Sequence, residues 1–399
     1  MAPNPGKLIL IAEPVHFGDT HVQVNSAFVA LFRHIYAQHQ LQLVAEKKHI
    51  EAIRANAGHR IGEISTRSFA AYSRPGLFYW PQKILGEWRQ IFSIVRAARK
   101  SKPELLVWLC LFPTGHLLLQ CLSRIYLRGQ RQLIVLHGEL EYLKPQQKSL
   151  ADQFLHAVLK KALSGAGSRV SYFVLGESIK TNLLQYAARV AAQVCVVDHP
   201  YLYDAPVQAQ RSGAPALRIC TFGTLKRAKN TQLFFEMAGR FGAEIGEGKL
   251  SFTTIGKLSP DLQVYQSAAV RHYKPSEFIP QKEYEQEIRQ YDLALFFYDN
   301  EAYSLTASGV LHECIRLGMP FLALQNDYFY ALIRRHGAGA LFHSVEDMES
   351  YIRSLLINAD SQWANNFRAS IFSFIQENSF LLQSEKLKKV LEHQGLYTV

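Results

Sequence analysis

The chain has few cysteines and no pattern among them. Cys110, Cys121, Cys195, Cys220 and Cys314 are scattered, odd in number, and form no CxxC or Cys/His ligand spacing. Zinc is therefore not expected, and reduced, buried thiols are. There is also no uninterrupted apolar run long enough to span a membrane: Pro113, His116 and Arg124 break segment 104–127, which reads as a buried strand followed by a helix. The opening MAPNPGKLILIAEP lacks the apolar core and cleavage site of a signal peptide, so the expected location is the cytoplasm. No tandem repeat, low-complexity tract or recognised nucleic-acid module stands out, and nucleic acid is not an expected partner. Acid is the scarce charge, with 33 Asp and Glu against 44 Lys and Arg, and the net charge of +11 points to an anionic partner.

What is present is length and alternation. A chain of 399 residues with 48% apolar content is too long for one ordinary core, so two domains are expected. Strand-like runs LILIA (8–12), LQLVA (41–45), ELLVWLCLF (104–112), QLIVLH (132–137), YFVLG (172–176) and VCVV (194–197) alternate with helical patterns such as 25–38 and 150–163. A second series follows: LRICTFG (217–223), LSFTTIG (250–256), LALFFY (293–298) and FLAL (321–324). Between the two series lies a Pro-, Gly- and Ala-rich stretch, the expected linker. The predicted class is α/β, with two doubly wound, Rossmann-like domains facing each other across a cleft. Expected boundaries are 1–205, a linker at 206–216, 217–358, and a helical segment at 359–399 that packs back on the first domain.

Chemistry concentrates at strand ends. After LALFFY, the segment SGVLHECIRLGMP predicts a helix opened by Ser308 and Gly309, with Gly318 at its C′ position and Pro320 preventing continuation. Free backbone N–H groups at such an opening suit a diphosphate. Glu313 lies four residues beyond Gly309 on the same side, where a carboxylate can accept from ribose hydroxyls. The bland alternative is that Glu313 pairs with Arg316 on a polar arc shared with His312. After LRICTF, Gly223 allows close backbone approach, and Lys226, Arg227 and Lys229 place cations in one short loop. A solvated basic turn is the alternative there. Ile255-Gly256-Lys257 is a weaker strand end of the same kind.

These residues resemble the nucleotide-binding half of GT-B glycosyltransferases, especially the GT4-like group. The resemblance rests on Gly223 through Lys229 and on Ser308-Gly309-x3-Glu313-x4-Gly318-x-Pro320, and covers most of 217–345 by motif order. It implies that Gly223, Thr224, Lys226, Lys229, Ser308 and Gly309 bind the donor diphosphate and that Glu313 binds the ribose. Two positions depart from the family pattern. Leu305 stands where a first glutamate is usual, and Thr224 where an arginine often follows the glycine.

The first half would then bind the acceptor. His16, Gly18 and His21, after the first strand, and Tyr303 are assigned to acceptor or sugar. His137, Glu139 and Asp19 are the catalytic candidates, with Glu139 and Asp19 the bases an inverting transfer would need. Glu177 and Asp198-His199-Pro200 are weaker lining candidates. The implied activity is transfer of a sugar, with retention, from a UDP- or GDP-linked donor to a glycan or lipid-linked glycan acceptor. The donor is a substrate, and neither cofactor nor metal is expected. The alternatives are a non-catalytic GT-B-like binding subunit, or an epimerase or phosphorylase of the same fold. Segment 85–102, LGEWRQIFSIVRAARKSK, combines Trp88, Ile91, Phe92, Ile94 and Val95 with Arg89, Arg96, Arg99, Lys100 and Lys102. It reads either as an interfacial helix contacting the inner face of an anionic membrane or as a crossover helix with a solvated basic edge.

Overall fold

A computed structural model describes residues 7–72, 79–144, 149–167, 169–203, 216–277, 279–334, 336–357 and 362–397. They form two compact units. The first runs to Leu202 and takes in Leu305–Ala307 and the chain from Phe380; the second comprises Tyr203–Ser304 and Ser308–Ser379. The expected linker lies, apart from residue 216, outside the described residues. Of the terminal helices, Gln362–Glu377 belongs to the second unit and Phe380–His393 to the first.

In the first unit the apolar runs become β1 (Leu8–Glu13), β2 (Gln40–Glu46), β4 (Leu105–Trp108), β5 (Gln132–Val135), β6 (Val170–Val174) and β7 (Val194–Val196), joined by β3 (Ser65–Phe69). They make one seven-stranded sheet in the order β3-β2-β1-β4-β5-β6-β7. Every pair is parallel, with Ile9 of β1 facing Leu41 on one side and Leu105 on the other. Strands covered on both faces can be apolar throughout, which is why β4 reads LLVW and β1 reads LILIA before its closing Glu13. Strand order reverses between β1 and β4, so the loops leaving their carboxyl ends frame the natural ligand crevice.

The second unit repeats the plan with β8 (Leu217–Phe222), β9 (Leu250–Ile255), β10 (Val270–Tyr273), β11 (Leu293–Phe296), β12 (Phe321–Leu324) and β13 (Ala340–Phe342), ordered β10-β9-β8-β11-β12-β13. Ile219 of β8 faces Phe252 of β9 and Leu293 of β11, so the switch falls between β8 and β11. Phe234, Phe241, Phe252, Leu293, Leu295 and Leu322 are all buried in its core. Each such side chain contributes roughly 1.5–3 kcal/mol. Two Rossmann-like sheets are thus present, as the alternation predicts.

Three strands were not expected from sequence: β3 (STRSF), β10 (VRHY) and β13 (ALF). All three are edge strands. An edge strand with a solvated face needs no long apolar run: β3 and β10 each carry an arginine, which blunts further pairing, and β13 is only three residues long. Elsewhere boundaries shift by a few residues: the helix expected at 25–38 is Val22–Ile35, and that at 150–163 is Leu150–Ser164. Segment 104–127 does become a buried strand and then the helix Pro113–Tyr126. The expectation of buried thiols holds for four cysteines but fails at Cys121, which is exposed on that helix. Among the described residues no helix is long and apolar enough to cross a membrane.

Candidate active site

In the second unit the switch-point loops follow β8 and β11. Gly223 leaves β8 at φ 103°, and a Cβ there would lie 2.9 Å from Val310 Cγ1. The β8 loop therefore rests on the first turn of helix Gly309–Leu317. Gly256 leaves β9 at φ 107°, where a Cβ would come within 2.6 Å of the Gly223 carbonyl oxygen. Both glycines are demanded by close backbone approach. Gly309 is different: it is exposed, and a Cβ would meet nothing within 4 Å. Its missing side chain leaves open space over the helix N-terminus.

Ser308 is the N-cap of that helix, in extended conformation, yet its hydroxyl caps nothing. Ser308 Oγ is buried with no hydrogen-bond partner among the described residues. The loop after β8 is tied to the loop after β11 by Asn230, whose Nδ2 donates to Phe297 O at 3.1 Å and to Asp299 Oδ2 at 2.8 Å. Asn230 takes φ 54° to do so. This turn carries Lys229 Nζ over the rings of Tyr298 and Tyr303, at 5.2 and 5.9 Å from their centroids. The two rings stack 4.6 Å apart. Burial, and then the nearby Lys226, lower the Lys229 pKa to about 8. No carboxylate pairs with Lys229 among the described residues. Thr224 and Lys226 are exposed at the same loop.

Glu313 lies on the buried side of the helix, not on a solvated arc. Its Oε1 accepts from Gln281 Nε2 at 3.2 Å and from Arg316 Nη2 at 2.5 Å, and Arg316 also reaches Glu285 Oε1 at 2.6 Å. The carboxylate is thus oriented by a cation that a second carboxylate holds in place. His312 is buried too, with Nδ1 2.5 Å from Tyr203 Oη and Nε2 2.7 Å from Tyr328 Oη. Burial lowers its pKa to about 3, which makes it a neutral core residue joining three elements. The Glu313–Arg316 pair named as the alternative is therefore present, and protein covers the arc it shares with His312.

In the first unit the organising residue is Glu13, which ends β1 and is fully buried. Its Oε1 accepts from the N–H groups of Val15 and His16 at 2.8 and 3.0 Å; its Oε2 accepts from Asn25 Nδ2 at 3.1 Å and meets His16 Nδ1 at 3.1 Å. Burial alone would raise the Glu13 pKa, but His16, then His49 and the backbone donor, bring it down to about 2. Asn25 Nδ2 also donates to His49 Nε2 at 2.9 Å, so His49 Nδ1 carries the proton it donates to Gly18 O at 2.6 Å. Glu46 accepts from the Gly18 N–H at 3.1 Å while capping helix Lys47–Ala57. Gly18, at φ 54°, is therefore gripped on both sides.

That grip brings the histidines together. His16 stacks on His21 with centroids 4.1 Å apart, and His21 Nδ1 lies 3.2 Å from His137 Nε2. His199 places its ring 6.1 Å from that of His137. Glu139 Oε2 accepts from the His137 N–H at 2.9 Å, while Glu139 Oε1 and His137 Nδ1 are buried without partners among the described residues. Burial raises Glu139 to about 8 and, with His199 and His16, lowers His137 to about 3. At neutral pH both are uncharged. Asp19, by contrast, is exposed in the turn beside them, as is Glu177, and exposed Asp198 faces Lys386.

Sequence reasoning missed Glu13, Asn25, Glu46, His49 and Glu87. Glu13 and Glu46 each close an apolar strand with an acid, a signal that was available. Glu87 lay hidden inside the basic segment: it is buried, accepts from the Phe112 N–H at 2.8 Å, and is raised to about 8 by burial. Among the described residues no group of three or more His, Cys, Asp or Glu side chains is arranged to hold a metal.

No family model and no curated protein matches the sequence. Solved structures do match the fold. Anabaena HepE, in complex with UDP and glucose, superposes with a TM-score of 0.64 at 13% identity, covering 97% of this chain and 99% of that one. Sucrose-phosphate synthase from Thermosynechococcus elongatus gives 0.69 at 12%, covering 97% and 98%. WaaG, a glycosyltransferase involved in lipopolysaccharide biosynthesis, gives 0.62 at 12%, covering 96% and 99%. At this identity the likeness speaks for architecture, and the chain has the GT-B fold of two Rossmann-like units.

Proposed function

We propose that the protein is a glycosyltransferase that moves a sugar from a UDP- or GDP-linked donor to a glycan or lipid-linked glycan acceptor, with retention of configuration. The observation that carries this reading is the anion site of the second unit. The Lys229 ammonium is held over two tyrosine rings in the loop whose Gly223 packs on Val310, in the first turn of the helix whose capping Ser308 has an unpartnered buried hydroxyl and whose first residue, Gly309, leaves open space. A diphosphate would gain the helix N–H groups, the lysine charge and the serine hydroxyl together. Glu313, oriented by Arg316, is the ribose acceptor. Structures of the same fold in complex with UDP and with UDP-glucose support a nucleotide-sugar ligand.

The first unit is assigned to the acceptor, through His16, Gly18, His21 and His137. Retention needs no strong enzymic base, and of the two carboxyls an inverting transfer could use, Glu139 is raised by burial to about 8, which weighs against its acting as base at neutral pH. The acceptor proton then passes to an oxygen of the departing diphosphate. The C1–O bond to phosphate breaks and the C1–O bond to the acceptor forms on the same face. The activity requires no bound metal in this reading.

The test is a nucleotide panel read by thermal shift, followed by a nucleotide-sugar panel read by product NMR. UDP or GDP at ~100 times its dissociation constant should stabilise the fold by about 2.7 kcal/mol. Lys229→Ala and Glu313→Ala should shrink that shift. A product of inverted configuration would overturn the retaining assignment, and no shift with any nucleotide would remove the donor site.

A further inference from the structure

Helix Tyr79–Ser101 of the first unit buries Ile91, Ile94 and Ala98 against its own sheet and neighbouring helix. Its outward stripe is Leu85, Arg89, Phe92, Arg96 and Arg99, at spacing i, i+4, i+7, i+11 and i+14, and all five are exposed. The stripe is about 21 Å long at 1.5 Å per residue. Leu85 and Phe92, 55% and 49% exposed, put two large apolar side chains on the same stripe as the arginines. Beside the stripe, a groove of about 490 Å³ is lined by Phe92, Ser93, Val95, Arg96, Arg99 and Tyr126, the last from helix Pro113–Tyr126. Arg99 lies 5.5 Å over the Tyr126 ring, and Arg67 of β3 donates to Ser93 Oγ, so a third guanidinium joins the rim. Next to Tyr126, Ile125 is 62% exposed.

None of Arg67, Arg89, Arg96 and Arg99 is paired with a carboxylate among the described residues. The stripe therefore combines uncompensated charge with uncovered apolar surface, a combination that a nucleic acid would satisfy only in part. An anionic bilayer satisfies both: its phosphates meet the guanidiniums while acyl chains receive the side chains between them.

We propose that this two-helix face docks on an anionic lipid bilayer, with Arg67, Arg96 and Arg99 holding lipid phosphate at the groove and Leu85, Phe92, Ile125 and Tyr126 entering the interface. The assignment is independent of the donor site. Intact protein is floated with vesicles of phosphatidylcholine alone and of phosphatidylcholine with phosphatidylglycerol. Binding is expected only to the anionic vesicles and should weaken with salt. Arg96→Ala with Arg99→Ala should lower affinity about thirty-fold, taking about 1 kcal/mol per basic side chain. Phe92→Ser should lower it as well, which a diffuse charge effect would not do. Lys160→Glu with Lys161→Glu, on exposed positions of another helix, should change it far less. All variants should keep the wild-type nucleotide shift, which separates failure here from failure of the donor site. Equal flotation of wild type and the arginine variant overturns the proposal. So does absence of wild-type binding to anionic vesicles, with or without binding to duplex DNA.

Discussion

At the residue scale, the donor loop depends on what two glycines leave out. Gly223 and Gly256 both adopt backbone angles that L side chains avoid, and each sits where a Cβ would overlap a neighbour. The overlap at Gly256 is with backbone, the Gly223 carbonyl, which cannot swing aside as the Val310 side chain can. Gly256→Ala should therefore cost on the order of 3 kcal/mol, more than Gly223→Ala, and should displace the Gly223 turn. Urea unfolding followed by tryptophan fluorescence gives the cost. A midpoint unchanged from wild type would show that the loop relaxes freely. Lys229 is the complementary case. Its sequence context shows only one lysine among several basic residues, and nothing in it reveals that Lys229 alone lies over two tyrosine rings.

At the element scale, helix Gly309–Leu317 is stopped by a device legible in advance. Gly318 sits at φ 66°, and the Met319 N–H reaches Cys314 O at 2.9 Å, closing the helix before Pro320. Gly318→Ala should cost about 1 kcal/mol, the left-handed penalty for a residue with a Cβ, and differential unfolding measures it. What the helix does with its polar residues was not legible. A helical wheel places His312, Glu313 and Arg316 on one arc, but it cannot tell whether water or protein covers that arc. Here Tyr203, Tyr328, Gln281 and Glu285 cover it, contributed by distant parts of the chain. Edge strands show the same limit. The pattern that betrays a central strand is burial on both faces, and β3, β10 and β13 lack it.

At the scale of the whole molecule, buried titrating groups set how stability depends on pH. Glu87 and Glu139 have folded pKa values raised from 4.5 to about 8, so the folded state holds protons that the unfolded state has released. Stability is then lost as pH rises from about 4.5 through about 8. His137, lowered from 6.5 to about 3, acts in the opposite sense, with stability lost as pH falls from 6.5 through about 3. Glu13, lowered to about 2, adds a further loss below its unfolded value of 4.5. Urea midpoints across pH should fall on both sides of a mildly acidic maximum. Glu139→Gln should flatten the alkaline limb and leave the acid limb in place; an unchanged alkaline limb would show that Glu139 is not protonated in the folded state.

The sequence by itself determined the two Rossmann-like series, the central strands and the glycine-marked strand ends, because burial on both faces and positive-φ turns leave local signatures. It also placed His16, His21 and His137 at strand ends of one half. Tertiary structure alone decided that these three rings touch, that Glu13 and His49 hold their loop, and that Arg67 of β3 joins the arginines of the basic helix. Those outcomes rest on contacts between residues far apart in the chain. Side-chain periodicity carries no information about what a neighbouring element brings to the same place.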